Sequence, residues 1–254
     1  MSKSRIIQNG IEYGNKIRKH LKNSYNIENV EFINCYSWGF NTSAFYIHID
    51  ENTKYTARIS SNLNKGKNLL NDIYWSNKLK SIVTTSEFIK DRFNNEISFF
   101  GNSYFRLSKH IEGTAPFEMN FEIFDQIIEK LTLIHNFEIK GKECLIHGDT
   151  TPSNFLVSYE KLVGILDFEE TRFGYPEEDF GKLTIFSSTR DIEKSFLDYL
   201  DRTLSKSPYL DRDKIIHFAK ISVKKYIENL ENNKKTPKYM IKDAEVMLKE
   251  LNLA

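Results

Sequence analysis

Cysteine is scarce in this 254-residue chain: Cys35 and Cys144 are its only two. That is too few to staple a chain of this length, and it points to a reduced, cytoplasmic setting. Long hydrophobic runs are absent as well. No stretch approaches the roughly 18 uninterrupted apolar residues that a membrane span needs. The opening segment is amphipathic (Ile6, Ile7, Ile11, Ile17, Leu21) and not a continuous apolar leader. An excess of one charge sign is also missing: 36 basic against 35 acidic side chains leave a formal net charge of +1. No net field therefore draws the chain to nucleic acid or to an anionic membrane surface. Internal repeats and low-complexity tracts are lacking too. What the chain does have is core material, with 40% hydrophobic and 13% aromatic residues, at a length that suits one large domain or two modest lobes.

The apolar pattern changes period along the chain. Val30 to Tyr36, Ala44 to Ile49 and Lys54 to Ser60 alternate apolar and polar residues and are rich in β-branched and aromatic side chains, which predicts three strands. A helix is expected from about Lys67 to Leu79, then strands at Ile97 to Phe100 and Tyr104 to Ile111 joined through Gly101-Asn102. After Gly113 the period is helical: Ile123, Ile127, Ile128, Leu131 and Ile134 fall on one face. Phe155 to Val157 and Leu162 to Phe168 read as a small hairpin around Tyr159-Glu160-Lys161. From Pro176 on, helices are expected, broken near 205–208 and 234–237. The division is a β-rich first lobe with a leading helix over 1–107, a hinge at 108–114 and a helical lobe over 115–254, with the chemistry expected where the lobes meet.

The stretch His147-Gly148-Asp149-Thr150-Thr151-Pro152-Ser153-Asn154, followed by Gly164-Ile165-Leu166-Asp167-Phe168-Glu169, carries the chemistry. It offers a carboxylate, a carboxamide five residues on, and a second carboxylate thirteen residues after that, at the end of a hydrophobic run. Two oxygen ligands plus nucleotide phosphates suit Mg²⁺, which keeps a water-rich octahedral shell and rarely takes an all-protein cage. A carboxylate left free of metal can receive the proton of an attacking hydroxyl, and phosphoryl transfer asks for little proton removal before the transition state. Singly, an Asp, His or Asn of this kind is most often a cap or a structural group. Together, four fixed residues in H-G-D-x-x-x-x-N arise by chance in only about one chain in 10³ of this length.

These residues resemble the aminoglycoside phosphotransferase/choline kinase superfamily, small-molecule relatives of the protein kinases, whose catalytic loop shows the same Asp-to-Asn spacing. The resemblance implies an α+β, two-lobed protein-kinase-like fold, with a small antiparallel β-sheet in the N-terminal, nucleotide-binding lobe and a mostly helical C-terminal lobe. It implies Asp149 as catalytic base, His147 orienting the loop from behind, and Asn154 and Asp167 as Mg²⁺ ligands. Gly174 and Asp179 match the pattern after the metal aspartate, where the Asp is expected to brace the catalytic loop. Leu133-Ile134-His135 resembles the signature that closes the preceding helix.

The first lobe matches more sparsely. Ser37-Trp38-Gly39-Phe40-Asn41-Thr42 lies where a phosphate-covering hairpin belongs, and Ser37, Asn41 and Thr42 are candidate phosphate contacts. Arg58, in Thr56-Ala57-Arg58-Ile59, stands where protein kinases hold a lysine and brings a permanent charge and a bidentate fork. Its expected carboxylate partner is Asp72. Lys109, His110 and Ile111 occupy the hinge, whose alternate backbone groups would pair with adenine.

Only eight residues separate Asp167 from Pro176, which leaves no room for the activation segment of a protein kinase. The expected acceptor is therefore a small molecule. A run of acids (Glu169, Glu170, Glu177, Glu178, Asp179, Asp191, Glu193, Asp198, Asp201) would suit a cationic one. A choline-type substrate would want an aromatic cage, for which Tyr175, Phe196, Tyr199 and Tyr226 are available. The reading is a Mg²⁺-dependent, ATP- or GTP-dependent phosphotransferase acting on a small hydroxyl acceptor, with no nucleic-acid or membrane partner. Its alternatives are a choline- or ethanolamine-type kinase and a nucleotide-binding module without catalysis.

Overall fold

The computed structural model describes residues 3–38, 42–60, 66–191, 193–232 and 238–253, apart from the side chains at 3–12, 36–38, 42, 238–239, 250 and 253. Two compact units make up the chain, one formed by 1–77 with 86–111, the other by 78–85 with 112–254. The expected break at 234–237 and the side chains of Ile6, Ile7 and Ile11 lie outside the described residues.

The first unit opens with helix α1 (Lys3–Tyr25), followed by β1 (Phe32–Trp38), β2 (Thr42–His48), β3 (Lys54–Ser60), α2 (Gly66–Leu79), β4 (Phe88–Ile89), β5 (Ser98–Phe100) and β6 (Ser103–Lys109). The strands form one antiparallel sheet in the order β1-β2-β3-β6-β4, with β5 on the same strand, β6. Strand periodicity sorts its two faces. Phe45, Ile47, Ala57, Ile59, Phe105 and Leu107 point to one side and pack with Ile17, Leu21 and Tyr25 of α1, spaced four apart on one helical stripe. The intervening residues Thr56, Arg58, Arg106 and Ser108 therefore share the opposite face, and β3–β6 register sets Arg58 directly across from Arg106.

In the second unit, α3 (Phe121–His135) begins at Asn120, whose side chain caps the Ile123 amide. Every apolar position predicted on its inner face is buried: Ile123, Ile127, Ile128, Leu131 and Ile134. The expected hairpin is β9 (Phe155–Ser158) with β10 (Lys161–Ile165). Its turn residues Tyr159 and Glu160 both have positive φ, the backbone that a two-residue turn of right-handed twist requires. Gln126 of α3 grips this turn, donating to the Glu160 carbonyl and accepting from the Leu162 amide.

Besides the two-residue β4 of the first unit, which no apolar run predicts, two features of the second unit differ from expectation. The run Leu162 to Phe168 leaves the strand at Ile165, because Asp167 adopts a left-handed backbone (φ 68, ψ 67) and a 3₁₀ turn follows at Phe168–Glu170. The hairpin is also joined by a second small sheet, β11-β8-β7, made of β7 (Ile139–Lys140), β8 (Glu143–Ile146) and β11 (Arg172–Gly174). Strands of two to four residues are too short to show a period, so they leave no mark in the pattern. Helices α4 (Pro176–Ser188), α5 (Phe196–Lys206), α6 (Arg212–Asn232) and α7 (Lys238–Leu253) complete the unit. No described helix is long and apolar enough to cross a membrane.

Candidate active site

Strand β8 is buried along Cys144, Leu145 and Ile146 and delivers the chain into His147-Gly148-Asp149. His147 is fully buried. Its Nε2 donates to the Leu166 carbonyl at 3.0 Å and its Nδ1 accepts from the Asp149 amide at 3.2 Å, which assigns the ring proton to Nε2. The imidazole thus ties the loop to the residue just before Asp167. Leu166 is held from its other side as well, its amide donating to the Asn154 carbonyl at 2.8 Å. Gly148 has φ +82, and a Cβ there would come within 2.4 Å of the Glu170 carbonyl oxygen. Only glycine satisfies both demands.

Helix α4 reaches this loop with two side chains one turn apart. Asp179 is buried, and its carboxylate accepts from the amides of His147 (2.7 Å) and Gly148 (2.8 Å) and from His135 Nε2 (2.9 Å). Thr150 Oγ1 donates to the Asp179 carbonyl at 2.6 Å. Burial pushes the Asp179 carboxyl upward, but the hydrogen bond and charge of His135 and the backbone donors outweigh it and hold the group below its ordinary value. Asp179 thus braces the loop from His147 to Thr150. Lys182, three residues on, places Nζ 2.6 Å from Asp149 Oδ1 and 3.4 Å from the Gly148 carbonyl. No sequence expectation attached to Lys182; its only signal was its helical spacing from Asp179.

Asp149 is gripped at both oxygens. Lys182 meets Oδ1, and Asn154 Nδ2 donates to Oδ2 at 2.9 Å as well as to the Asp149 carbonyl at 2.8 Å. Desolvation raises the Asp149 carboxyl, yet the charge and hydrogen bond of Lys182, with the Asn154 amide, bring it below its usual range. Because Asn154 spends its nitrogen on Asp149, its Oδ1 is the atom left for a further ligand. Asp167 follows β10 with its left-handed backbone, and a carboxylate oxygen of Asp167 lies within 4.8 Å of one from Glu169. The second unit therefore offers an amide oxygen and two carboxylates, an all-oxygen set that fits a hard divalent cation such as Mg²⁺.

In the first unit, α2 buries the stripe Leu69, Asp72, Ile73 and Ser76. A carboxylate in such a stripe must be paired. Arg106 Nη1 donates to Asp72 Oδ2 at 2.6 Å with both side chains almost fully enclosed, and Ser76 Oγ donates to Oδ1 at 3.3 Å. Asp72, the expected partner of Arg58, is thus engaged by Arg106, the residue directly across from Arg58 on β6. At the end of β6, the Lys109 amide donates to Glu87 O and the His110 amide to Lys54 O. His110 Nδ1 meets Thr56 Oγ1 at 3.1 Å. Those two amides are therefore committed to the sheet, and the Ile111 amide makes no backbone hydrogen bond to a described residue. Ser37 lies one residue before the end of β1 and Thr42 opens β2, but their side chains, like Asn41 as a whole, lie outside the described residues.

The acids proposed to attract a cationic acceptor are largely spent on the fold. Glu177 is buried and accepts from the Asp211 amide, Glu178 pairs with Arg172 at 2.6 Å, and Asp179 braces the loop. Asp191 accepts from the Tyr199 hydroxyl at 2.9 Å, Asp198 caps α5 through Ser195, and Asp201 pairs with Arg212. The four aromatic candidates do not assemble a cage either. Phe196 and Tyr199 are core residues, Tyr175 already carries Lys214 Nζ over its ring at 5.3 Å, and Tyr226 packs edge-on against Phe186.

Residues 106–215 match the family model APH, phosphotransferase enzyme family, a segment that contains every loop residue described above in the second unit. The chain thus resembles the aminoglycoside phosphotransferase/choline kinase superfamily in this segment. No curated protein matches it in sequence. Its fold is similar to that of an APH(4)-Ia aminoglycoside phosphotransferase solved with ADP and hygromycin B, at TM-score 0.71, 10% identity, and 92% and 98% coverage of this chain and that one. It is similar, too, to spectinomycin phosphotransferase APH(9)-Ia solved with ADP and spectinomycin (TM-score 0.67, 12% identity, coverage 93% and 94%). A microcompartment-associated aminopropanol kinase gives TM-score 0.64 at 10% identity, covering 82% and 86%. The α+β architecture, with its small antiparallel sheet and helical unit, is that of the protein-kinase-like small-molecule kinases.

Proposed function

We propose that this chain is a phosphotransferase that moves the γ-phosphoryl group of a purine nucleoside triphosphate to a hydroxyl of a small amine-bearing molecule. The observation that carries the proposal is Asp149: a carboxylate held at both oxygens, on a loop whose amides and histidine are locked by buried partners. Such rigidity has a use where a reacting hydroxyl must be presented in line, since positioning supplies most of the rate in phosphoryl transfer. In the proposed step the acceptor O–H gives its proton to Asp149 as its oxygen bonds to the γ-phosphorus. The bond from that phosphorus to the β,γ-bridging oxygen breaks, and the electron pair leaves with the nucleoside diphosphate.

Each unit has its share. The second supplies Asp149 as base and His147 as the group that orients it. Asn154 Oδ1 and Asp167, with Glu169 beside it, would hold Mg²⁺, which when bound offsets phosphate charge. In the first, Arg58 would steady the phosphates, with Asp72 and Arg106 fixing the face on which it sits, and Ser37, Asn41 and Thr42 would line the phosphate-covering turn. The Ile111 amide would read the purine edge, since the neighbouring amides of Lys109 and His110 are already used.

The amine on the acceptor is supported by the similar structures, whose ligands and substrate are hydroxyl-bearing amines; the acidic run lends little, its carboxylates being mostly engaged. The decisive experiment follows Mg²⁺-dependent ATP and GTP consumption against aminoglycosides, aminopropanol, ethanolamine, choline and homoserine, with Asp149→Asn and Asp167→Ala as controls. Acceptor-stimulated turnover that falls by about 10²–10⁴ in either variant, with the melting curve retained, supports the assignment. Near-normal turnover in Asp167→Ala overturns the metal assignment, and nucleotide binding without any transfer favours a silent module.

A further inference from the structure

We infer that Lys182 is a positioning residue for the transfer step, serving as a fixed counter-charge that orients Asp149 and cancels its repulsion of the incoming phosphoryl group. The inference rests on the phosphotransferase reading above and extends it to a residue outside the catalytic motif.

Lys182 and Asp179 are three apart on α4 and so project from one side of the helix. Between them they engage four consecutive loop residues. Asp179 takes the amides of His147 and Gly148 and offers its carbonyl to Thr150, while Lys182 donates to the Gly148 carbonyl and to Asp149. The neighbours of Lys182 on the helix face the other way: Phe180 and Leu183 are core residues, and Gly181 lies against the α6 backbone at Ile215 and Ala219. The helix is thereby fixed in rotation and depth, and so is the ammonium group. A lysine side chain only 23% exposed gives up conformational freedom and hydration, which an ordinary surface ion pair does not ask of it.

The charge has a specific task in the proposed reaction. The γ-phosphorus must come within about 3–3.5 Å of the acceptor oxygen that Asp149 holds, which brings phosphate oxygens towards a carboxylate of like sign. An ammonium 2.6 Å from Oδ1 makes the base a neutral pair without taking away its proton-accepting oxygens, since each carboxylate oxygen has two lone pairs. Asn154 fixes the other oxygen, so the two donors together set the plane of the carboxylate.

The test uses the full chain as Lys182→Met, which keeps the length and removes the charge, and Lys182→Arg, which restores a donor. Lys206→Met, which removes a lysine 2.9 Å from Asp125 and leaves Arg202 on the same carboxylate, serves as the control for loss of a lysine elsewhere in the same unit. Donors are Mg·ATP and Mg·GTP; acceptors are kanamycin, spectinomycin and aminopropanol, with hydrolysis by water as the readout where none is taken. Lys182→Met should lower kcat roughly 10- to 100-fold. KM for acceptor and for nucleotide should stay within about threefold, and Tm should move by less than about 4 °C. Lys182→Arg should recover a large part of kcat, and Lys206→Met should match the parent protein. A kcat for Lys182→Met that is unchanged or raised overturns the inference, as does a loss that follows the unfolded fraction or is matched by Lys206→Met. If the parent protein neither transfers nor hydrolyses, the phosphotransferase reading itself falls and takes this role with it.

Discussion

The two units bury charge in different ways. In the helical unit, Asp179 is surrounded by donors that come mostly from the backbone of one short loop, with a histidine completing the set. In the sheet unit, Asp72 is satisfied by a side chain, Arg106, brought from a strand 34 residues away in sequence. Backbone amides are present at every position and cost nothing to orient once the loop is folded. An arginine must be ordered over its whole length and desolvated with its partner. The first device makes a loop rigid, and the second pins a helix to a sheet face. The charged side chain of Arg58 lies on that same face, so the second device also determines what surrounds it.

Substitutions at five positions would break or sharpen this contrast. Asp179→Ala should be the most damaging, because it orphans two buried amides and His135 at once. A loss of about 4–5 kcal/mol in unfolding free energy is expected, with activity gone in whatever remains folded, as urea titration and a transfer assay would show. The pH dependence carries a matching sign. Asp179 has its folded carboxyl below its ordinary value, so its stabilisation is complete above the unfolded value and is lost as pH falls through the folded one. The stability gap between the parent protein and Asp179→Asn should therefore be full at pH 7 and shrink as pH drops below about 4. A gap independent of pH would mean that the carboxylate charge contributes nothing.

Arg106→Met should cost about 3 kcal/mol, the low end for one side of a broken buried pair, because Ser76 still donates to Asp72. Adding Asp72→Asn should recover part of that loss, a coupling that a double-mutant cycle measures. Gly148→Ala should cost about 2 kcal/mol through its positive φ. Its turnover should fall further than its stability, since a Cβ driven against the Glu170 carbonyl moves the residue next to Asp149. Lys109→Ala marks the lower bound. Its pairing with Glu87 is more than half exposed on both sides, so a change under about 1 kcal/mol is expected, and calorimetry that found more would show the end of β6 to be tighter than its side chains suggest.

Much of the site could be read in advance because it is contiguous. His147 to Asn154 is one loop, and its spacing alone brings the Asn154 amide back to Asp149. The sheet and α3 were legible for a related reason: strands of seven residues and a helix of fifteen repeat their period often enough to be recognised. The failures were short or long-range. β4, β7 and β11 span only two or three residues, and β10 ends early because a single left-handed residue, Asp167, turns the chain without any change in hydrophobicity. Most of the acidic run is engaged within the fold, and a list of carboxylates does not say which of them cap helices.

Local order was therefore written in the chain itself. Side-chain period, turn residues and a candidate catalytic loop whose members are near neighbours needed no knowledge of the fold, because the forces that form them act over one or two turns of backbone. The pairings of Asp72 with Arg106 and of Asp149 with Lys182 belong to the folded molecule. Each joins residues more than 30 positions apart. Which cation reaches which carboxylate is settled by how helices and strands pack, since an ion pair has no directional signature in sequence and forms wherever burial leaves a charge that must be matched.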